Sequence, residues 1–330
     1  MGDISRGGNG EESSVRLVMS CDARYVVPLA VTLRSLCRWH RESQPVLAYV
    51  LFDGVDEAIQ RRVTASVGTG IRIHWIPAAL EATAGLPIGH HFSRAVFAKI
   101  TLGTALPADA RRVVYLDADI LVRRPIDPLF RVDLGAASVG AVVDTLAGTV
   151  AHPGGVKAWR TVGLDGRTRM VNAGVLVVDL DRWRAANLDR RLIECAQRIG
   201  ADLRWGDQDA INVVLSTEIA ELPLTWNVLH SEAARASAYS LFPSAEVDDA
   251  FQNPAILHFA TGQKPWTRGW NRKHLESSAF VREWWDTARE MDILDLLPPK
   301  RSWSSWLTGA QIRTRMAWKV FTNGSRAFDP

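Results

Sequence analysis

The sequence has 330 residues, of which 47% are hydrophobic and 23% are charged, as in ordinary globular proteins of one large or two average domains. The formal net charge of +3 arises in residues 300–330, which contain six Lys and Arg residues against one Asp. Because nucleic-acid enzymes usually carry a broadly basic face, this distribution argues against a nucleic-acid partner.

The N-terminal residues 1–14 are polar, Gly-rich and acidic, so we expect a disordered lead there and no signal peptide. No apolar run reaches the length needed to span a membrane. The cysteines Cys21, Cys37 and Cys195 are far apart and odd in number. This favours reduced thiols in the core of a cytoplasmic protein over a disulfide framework or a zinc site.

Strand and helix patterns alternate in the first quarter of the chain. The predicted elements are strand 15–20, helix 27–39, strand 46–52, helix 57–67 capped by Asp56, and strand 71–76. This alternation predicts an α/β fold whose parallel sheet is covered by helices on both faces. The sequence has neither Gly-x-Gly-x-x-Gly after the first strand nor a Gly-Lys-Ser/Thr phosphate loop, which argues against a dehydrogenase or a P-loop nucleotide hydrolase.

The most informative stretch is the apolar run 113–116, which is followed at once by Asp117 and Asp119. Such a run is typical of a strand buried on both faces. Acids are rare beside a buried strand unless they are paired or bind a cation, and Asp-x-Asp can direct two carboxylates at one hard divalent ion. Because ligands collect at the carboxyl ends of strands in α/β sheets, we expect the functional site here.

Several other stretches permit two interpretations. Lys99 lies on the otherwise apolar predicted helix 95–102, where a lone lysine most often extends to solvent. Gly174 interrupts the predicted strand 170–180, which indicates either close approach of a ligand or backbone, or a plain bulge. Residues 207–209, Asp-Gln-Asp, begin a helix and suit ordinary helix capping as well as catalysis. The remaining predicted elements are loop 87–91, strand 139–143 ending at Asp144, helix 181–199, helix 210–215 and strand 255–258.

Four blocks in one order together resemble glycosyltransferase family 8, the group of bacterial lipopolysaccharide galactosyl- and glucosyltransferases and glycogenin. The blocks are Tyr-Leu-Asp-Ala-Asp at 115–119, Asn-Ala-Gly-Val at 172–175, Asp-Gln-Asp at 207–209, and His258 with Lys264-Pro265-Trp266. The resemblance implies a GT-A fold, in which a nucleotide-binding mixed sheet is flanked by helices. We expect this catalytic domain at 15–275, followed by a helical, basic, Trp-rich region at 276–330.

The resemblance also implies transfer, with retention, of a hexose such as glucose or galactose from a UDP-sugar to a glycan, a lipid-linked or a secondary-metabolite acceptor. Asp117, Asp119 and His258 would bind Mn²⁺. The imidazole ligand favours Mn²⁺ over Mg²⁺, which is a possible substitute. Without the resemblance, His258 would more often be structural. The donor-binding residues that the resemblance implies are Ser20, Asp22, Arg24, Lys99, Asp117, Ala118, Asn172, Ala173 and Lys264.

Particular roles follow from the same resemblance. Asp22 would accept a hydrogen bond from the uracil imide, and Lys264 would stabilise charge on the leaving β-phosphate. Gln208, Asp207 and Asp144 would form the catalytic group, with Asp207 on the sugar hydroxyls and Gln208 facing the anomeric carbon. Tyr25 and His91, like Asp144, match acceptor-side positions. The chain departs from the family pattern at Arg24, where some relatives carry Asn, and at Thr261, where relatives often have Gly.

Two other functions are compatible with part of the pattern. A haloacid-dehalogenase-type phosphatase also has Asp-x-Asp after an apolar strand, but usually near the start of its catalytic domain. An inactive GT-A-fold carbohydrate-binding protein would keep the fold, yet the retained Asp117, Asp119, His258 and Lys264 argue against it.

The C-terminal residues 300–330 combine basic residues with Trp303, Trp306 and Trp318. One interpretation is a segment that lies peripherally on an anionic membrane, at its inner face if the protein is cytoplasmic. The other is a helix that packs its tryptophans on the catalytic domain. Flotation of the full chain with anionic liposomes, compared with a chain ending at Pro299, distinguishes the two.

Overall fold

The computed structural model of the protein describes residues 15–41, 45–87, 93–262, 264–267 and 278–297. The acceptor candidate His91 and the Trp-rich segment 300–330 lie outside these residues. The described strands are β1 (Arg16–Asp22), β2 (Val46–Asp53), β3 (Ile71–Pro77), β4 (Arg112–Leu116), β5 (Ile120–Val122), β6 (Val139–Val143), β7 (Val171–Asp179), β8 (Ile219–Glu221), β9 (Val228–Leu229) and β10 (Ile256–His258).

A seven-stranded mixed sheet forms the centre of the fold, in the order β3-β2-β1-β4-β7-β6-β8. The neighbours β3, β2, β1 and β4 are parallel, as the alternation of strands and helices predicts. Strand β7 is antiparallel to both β4 and β6. The expectation of a mixed sheet is therefore confirmed, whereas a purely parallel sheet is wrong at β7.

A second, three-stranded sheet has the order β5-β10-β9. In its antiparallel pair, His258 of β10 lies opposite Ile120 of β5. The backbone N–H of Phe259 donates to the carbonyl of Asp119 at 2.9 Å. This short sheet thus brings His258 beside the Asp-x-Asp segment that precedes β5, although 139 residues separate His258 from Asp119 in the chain.

Helices cover both faces of the large sheet. They are α1 (Val26–Trp39), α2 (Glu57–Val67), α3 (Leu102–Ala105), α4 (Asp127–Phe130), α5 (Leu180–Ala185), α6 (Leu188–Ile199), α7 (Asp207–Val214), α8 (Glu232–Ala238), α9 (Ser244–Gln252) and α10 (Ala279–Glu290). None of the helices in the described residues is both long and apolar enough to cross a membrane.

Several predicted helix boundaries are wrong. The segment predicted as helix 95–102 is a 3₁₀ helix, Arg94–Thr101, which runs into α3. The predicted helix 181–199 is broken between α5 and α6 at Asn187, whose φ of 51° is left-handed and cannot continue an α-helix. Asp56 occupies the N-cap position of α2, but its side chain makes no capping hydrogen bond.

The two-residue alternation of β1 divides the core between the two faces of the sheet. Leu17 and Met19 belong to the cluster that includes the buried residues of α1, whereas Val18 belongs to the cluster with Phe97 and Trp183 on the other face. Successive side chains of a central strand point to opposite sides of the sheet. Both faces of β1 are buried because helices cover each side.

Helix α10 packs on α1 and completes the first of these clusters. Arg38 of α1 donates to Thr287 at 2.7 Å and pairs with Glu290 at 2.6 Å. Trp284 is fully buried and its ring lies 5.0 Å from that of Trp266, between centroids. The division of the chain at 275 and 276 stays a prediction, but α10 shares its core with the sheet.

Candidate active site

The structure brings the three predicted metal ligands together at the carboxyl end of β4. The ligand atoms of Asp117, Asp119 and His258 all lie within 4.8 Å of one another. His258 Nε2 is 3.1 Å from Asp119 Oδ1 and 3.7 Å from Asp117 Oδ2. Strand β4 positions the carboxylates, and β10 positions the imidazole.

The chemistry of this group fits a divalent cation. Burial alone would raise the pKa of Asp119, but the charges of Lys264 and His258 outweigh burial and hold this pKa well below its ordinary value. Asp119 is therefore a carboxylate throughout the physiological pH range. Two carboxylates and one imidazole nitrogen are suitable ligands for Mn²⁺ and, less well, for Mg²⁺.

Gly174 of β7 forms the wall of this group. Its carbonyl accepts the backbone N–H of Asp117 at 2.8 Å. A Cβ atom at position 174 would lie 2.1 Å from His258 Cε1 and 2.9 Å from Asp117 Oδ2. The structure bears out both interpretations of this glycine in part: the side chains of His258 and Asp117 occupy the space that any side chain would need, and the pairing of β7 with β6 is irregular between Val171 and Leu176.

Lys99 is buried in the site and does not extend to solvent, as a lone lysine on an apolar helix most often does, and its predicted role in donor binding stays a prediction. Its Nζ lies 2.6 Å from Asp207 Oδ2 and 3.2 Å from Asp117 Oδ1. It also lies 4.5 Å from the centre of the Tyr115 ring. Burial alone would lower the pKa of Lys99, but the two carboxylates raise it well above its ordinary value. Lys99 thus joins β4 to α7 as a charged group.

A hydroxyl pair supports Asp117 from the side of β1. Ser20 Oγ lies 2.9 Å from the Tyr115 hydroxyl, which in turn donates to Asp117 Oδ1 at 3.1 Å. Burial raises the pKa of Tyr115 well above its ordinary value, although the charge of Lys99 opposes the shift, so the phenol remains a donor. Ser20, predicted to bind the donor, therefore contacts a residue that orients a metal ligand.

Asp22 and Arg24 form an ion pair at the end of β1. Asp22 Oδ1 accepts the backbone N–H of Arg24 at 2.8 Å, and Oδ2 accepts its guanidinium at 2.9 Å from Nε. Because each carboxylate oxygen has two lone pairs, Asp22 retains capacity to accept a further donor. Strand β1 is the parallel neighbour of β4, so this pair ends on the same edge of the sheet as the Asp-x-Asp segment.

Tyr25 and Ala118 lie close to the metal ligands. The Tyr25 ring packs edge to face on Trp266, with 5.9 Å between centroids. Burial raises the pKa of Tyr25, and the negative charges of Asp119 and Asp22 raise it further, so the phenol stays protonated. Ala118 is buried, and its carbonyl accepts from Thr32 at 3.1 Å.

The predicted catalytic residues Asp144 and Gln208 meet beside Asn172 of β7, which was predicted to bind the donor. Asp144 Oδ2 accepts from Asn172 Nδ2 at 3.1 Å and from Gln208 Nε2 at 3.2 Å. Gln208 Oε1 accepts the backbone N–H of Ala173 at 3.1 Å. Both polar atoms of the Gln208 amide therefore have fixed partners, and Asp144 is the acceptor that the two amides share.

A sequence comparison identifies the family. The model of glycosyl transferase family 8 matches residues 16–269, which is most of the chain. The chain belongs to glycosyltransferase family 8. The resemblance of the four sequence blocks is thus confirmed, and the haloacid-dehalogenase alternative is not supported.

Relatives in family 8 are distant in sequence. The chain is 26% identical over 281 residues to glycosyltransferase GlyF of Streptococcus pneumoniae serotype 4 (strain ATCC BAA-334 / TIGR4), a match that covers 84% of this chain and 61% of GlyF. It is 23% identical over 269 residues to general stress protein A of Bacillus subtilis (strain 168), covering 80% of this chain and 91% of that protein. The chain therefore spans less than two thirds of GlyF.

Solved structures confirm the family 8 fold. A crystal structure of the galactosyltransferase LgtC in complex with donor and acceptor sugar analogs has a TM-score of 0.69 and 24% identity, over 88% of this chain and 99% of that chain. An apo structure of the bifunctional glycosyltransferase WbbM has a TM-score of 0.70 and 21% identity, over 86% of this chain and 51% of that chain. The GT-A fold predicted from the resemblance is thus confirmed.

The acids that begin α7 in this family 8 chain have separate roles. Asp207 pairs with Lys99, whereas Asp209 Oδ2 accepts the backbone N–H groups of Arg204 and Trp205 at 2.6 and 2.9 Å. The capping interpretation is wrong, because Gly206 is at the N-cap position and no side chain caps α7, whereas Asp209 secures the turn before the helix. The ion-pair role of Asp207 depends on Lys99, more than 100 residues earlier in the chain, which local spacing could not indicate.

Asp209→Asn is expected to reduce the dependence of stability on pH. Burial raises the pKa of Asp209 from 3.8 to about 6, although two backbone N–H groups oppose the shift. An acid whose pKa rises on folding stabilises the fold at low pH, and this contribution is lost as pH rises through the folded value. Relative to wild type, the variant should gain about 1 kcal/mol between about pH 5 and pH 8. Urea unfolding at both pH values tests this, and a constant difference would contradict it.

Two buried residues of the site were missed in the sequence. Tyr115 was noted in the apolar run and in the first family 8 block but was given no role, and Asn227, which is 1% exposed, was not noted. Asn227 follows the 3₁₀ turn Leu224–Trp226 and precedes the two-residue strand β9. So short a segment has no periodicity that could predict a strand. The one sequence signal at this place is a polar residue, Asn227, next to a large aromatic residue, Trp226.

Proposed function

We propose that this protein is a retaining hexosyltransferase that uses a UDP-sugar and Mn²⁺. Glucose or galactose would be moved to a hydroxyl of a glycan, lipid-linked or secondary-metabolite acceptor. The observation that carries the proposal is the joint position of Asp117, Asp119 and His258, with Lys264 Nζ on Asp119 Oδ2. Family 8 membership supports a sugar donor, and the LgtC complex with donor and acceptor sugar analogs supports a shared site for both.

On this proposal the chain itself binds and orients the donor. Asp117, Asp119 and His258 would hold the cation, which when bound supplies Lewis-acid stabilisation of the diphosphate. Lys264 lies on Asp119 and 2.5 Å from the carbonyl of Phe259, so its ammonium is fixed where a leaving phosphate would gain charge. Asp22 and Arg24 would bind the uracil.

The sugar would lie across β7, between the metal ligands and the amides. Asp207, fixed by Lys99, would accept from sugar hydroxyls, and Asn172 and Ala173 would line the same face. Gln208 would face the anomeric carbon with an amide oxygen that the Ala173 N–H already orients. An amide is a weak nucleophile, which favours retention without a firm covalent intermediate.

The proposal is tested by thermal-shift screening of UDP-sugars with and without Mn²⁺, followed by hydrolysis assays and mass analysis of products. We expect one UDP-hexose to raise the melting temperature in the presence of Mn²⁺ and to be hydrolysed slowly when no acceptor is present. EDTA should remove both effects, and Mg²⁺ should restore them in part. The proposal is wrong if no UDP-sugar binds in the presence of Mn²⁺ to protein that remains folded.

Gln208→Ala is expected to retain UDP affinity and to slow transfer by about 100-fold, because the loss would fall on the transition state and not on nucleotide binding. The measurements are UDP titration calorimetry and single-turnover transfer rates. Gln252→Ala, on an exposed residue at the end of α9, is the matched control and should change neither. A loss of UDP affinity equal to the loss of rate would contradict the position of Gln208 at the sugar.

We also propose which residues contact the acceptor and where the protein is located. Tyr25, Asp144 and His91 are proposed for the acceptor side, and the protein is proposed to be cytoplasmic. Residues 300–330 are proposed to contact the inner face of a membrane peripherally. The basic, Trp-rich composition of this segment supports that proposal.

A further inference from the structure

A buried chain of amide hydrogen bonds connects His258 to Asp144 beneath β7. His258 Nδ1 lies 3.0 Å from Asn227 Oδ1, and Asn227 Nδ2 donates to Asn172 Oδ1 at 2.9 Å. Asn172 Nδ2 then donates to Asp144 Oδ2 at 3.1 Å. All four residues are less than 7% exposed, so water does not compete for these bonds.

Two fixed groups determine the direction of every bond in this chain. Asn172 Oδ1 accepts the backbone N–H of Gly174 at 3.0 Å, and an N–H can only donate, so the Asn172 atom at that position is an oxygen. The Asp144 carboxylate, an acceptor, faces the other end of the same amide. The orientation of Asn172 is thus set by its surroundings at both ends.

The orientation of Asn172 passes to Asn227 and then to the imidazole. Because Asn172 presents an oxygen, Asn227 must present its NH₂ group to it, and its own oxygen then faces His258 Nδ1. An amide oxygen only accepts, so Nδ1 must carry a hydrogen. In the neutral ring, the lone pair is then on Nε2, the nitrogen that faces Asp117 and Asp119.

We propose that Asn227 is a positioning residue that fixes the hydrogen of His258 on Nδ1 and thereby directs Nε2 at the metal site. This inference rests on the proposed function, because it assigns Nε2 as the ligand atom of that site. With a hydrogen on Nδ1, the neutral ring leaves Nε2 as an acceptor that faces Asp119 Oδ1 at 3.1 Å, and only a proton or a cation on Nε2 makes this contact favourable. A bound cation would take the place of that proton, which explains why the ring needs to be held in this form.

The first test detects the hydrogen itself. In protein labelled with ¹⁵N-histidine, we expect a proton on Nδ1 of His258 that is protected from exchange with water, assigned by its absence in His258→Ala. Asn227→Leu, which keeps the shape and removes the acceptor, should lose this signal. Asn227→Asp should keep it, because a carboxylate still accepts from Nδ1, although the protein should be less stable because the second carboxylate oxygen would face Asn172 Oδ1, another acceptor.

The second test measures Mn²⁺ affinity by the electron paramagnetic resonance of the free ion. Asn227→Leu should weaken binding by about 10- to 100-fold, the usual cost of removing a residue behind a metal ligand. Asn227→Asp should stay close to wild type. Asn212→Leu is the matched control, since Asn212 is equally buried but bonds to Val171 and the Gln208 carbonyl. It should lose stability and keep Mn²⁺ affinity.

The outcomes separate this inference from the proposed function. An unchanged Nδ1 signal and unchanged Mn²⁺ affinity in Asn227→Leu would overturn the role of Asn227. Equal losses of affinity in Asn212→Leu would overturn it as well, by assigning the effect to general destabilisation. If wild-type protein binds no Mn²⁺, the proposed metal site fails, and the Nδ1 signal still decides whether Asn227 holds the ring.

Discussion

Asp119→Asn is expected to reduce Mn²⁺-dependent transfer by more than about 100-fold. Changing a residue that only supports a metal ligand usually costs up to about 100-fold, and Asp119 is proposed to be a ligand itself. Asparagine keeps the size of the side chain and removes its charge. The carboxylate is held ionised by Lys264 and His258 and lies 7% exposed between them. Its loss would leave Lys264 without its counterion and would remove one of the two charges that hold the cation.

The experiment separates loss of metal from loss of fold. Circular dichroism melting should show a folded protein with a lower melting temperature, since removal of one partner of a buried ion pair costs about 3–5 kcal/mol at most. Mn²⁺ titration and UDP-sugar hydrolysis are measured well below that temperature. His258→Ala should behave in the same way, and Asp165→Asn, an exposed carboxylate paired with Arg167, should not. Normal turnover in either site variant would remove these residues from the metal site.

The sequence predicted which side chains form the site better than it predicted how they are held. Asp117 and Asp119 follow an apolar run, and this pattern is local, so it can be seen without a structure. His258 joins them because β10 pairs with β5, and such pairing leaves no local trace. The resemblance to family 8 supplied that residue, and residue spacing did not.

Lys99 illustrates why local patterns fail within a functional site. A lysine on an apolar helix normally reaches water, and this rule taken alone gives the wrong environment, whereas the resemblance to family 8 placed Lys99 in the site. The side chain is buried because Asp117 and Asp207, from two other elements, compensate its charge. Only tertiary structure brings these three residues together. Asn227 was missed for the same reason.

The fold shows a similar limit. Long apolar runs predicted β1, β2, β4, β6 and β7 closely, since each is buried along most of its length. Strand β3 was also predicted, although Ile71 is its one buried residue. The direction of β7 was not predictable, because a run that is apolar throughout reads the same for parallel and antiparallel pairing. Strands β8 and β9 have three and two residues, which are too few to show a periodic pattern. They are strands because they pair with β6 and β10.

Gly174→Ala is expected to abolish Mn²⁺ binding, with a loss of affinity of more than about 100-fold. The added methyl group would stand 2.1 Å from His258 Cε1 and 2.7 Å from Nδ1, so the imidazole would have to leave its position. Gly174 lies in β7 at an irregularity in the pairing with β6, but its φ is not left-handed, so alanine is acceptable there apart from this contact. The effect should therefore fall on the site and only modestly on the fold.

Gly140→Ala provides the matched control in the neighbouring strand β6. Its methyl group would also be crowded, at 2.7 Å from Leu134 Cδ2 and 3.1 Å from Leu222 Cδ2, but these are apolar side chains away from the metal ligands. Both variants should lose about 1–3 kcal/mol of stability through overpacking. Only Gly174→Ala should lose Mn²⁺ affinity in the electron paramagnetic resonance titration. Wild-type affinity in Gly174→Ala would show that the ring does not need this space.

A double-mutant cycle between Gly174→Ala and His258→Ala tests the contact directly. Removal of the imidazole opens the space into which the methyl group projects, so the second substitution should cost less stability after the first. We expect the two unfolding free energies to be non-additive by about 1 kcal/mol or more, as is usual for residues in contact. Additive values would mean that strand β7 yields and the imidazole keeps its place. Gly174 would then be needed for the backbone path of β7, and it would not be needed to make room for the imidazole of His258.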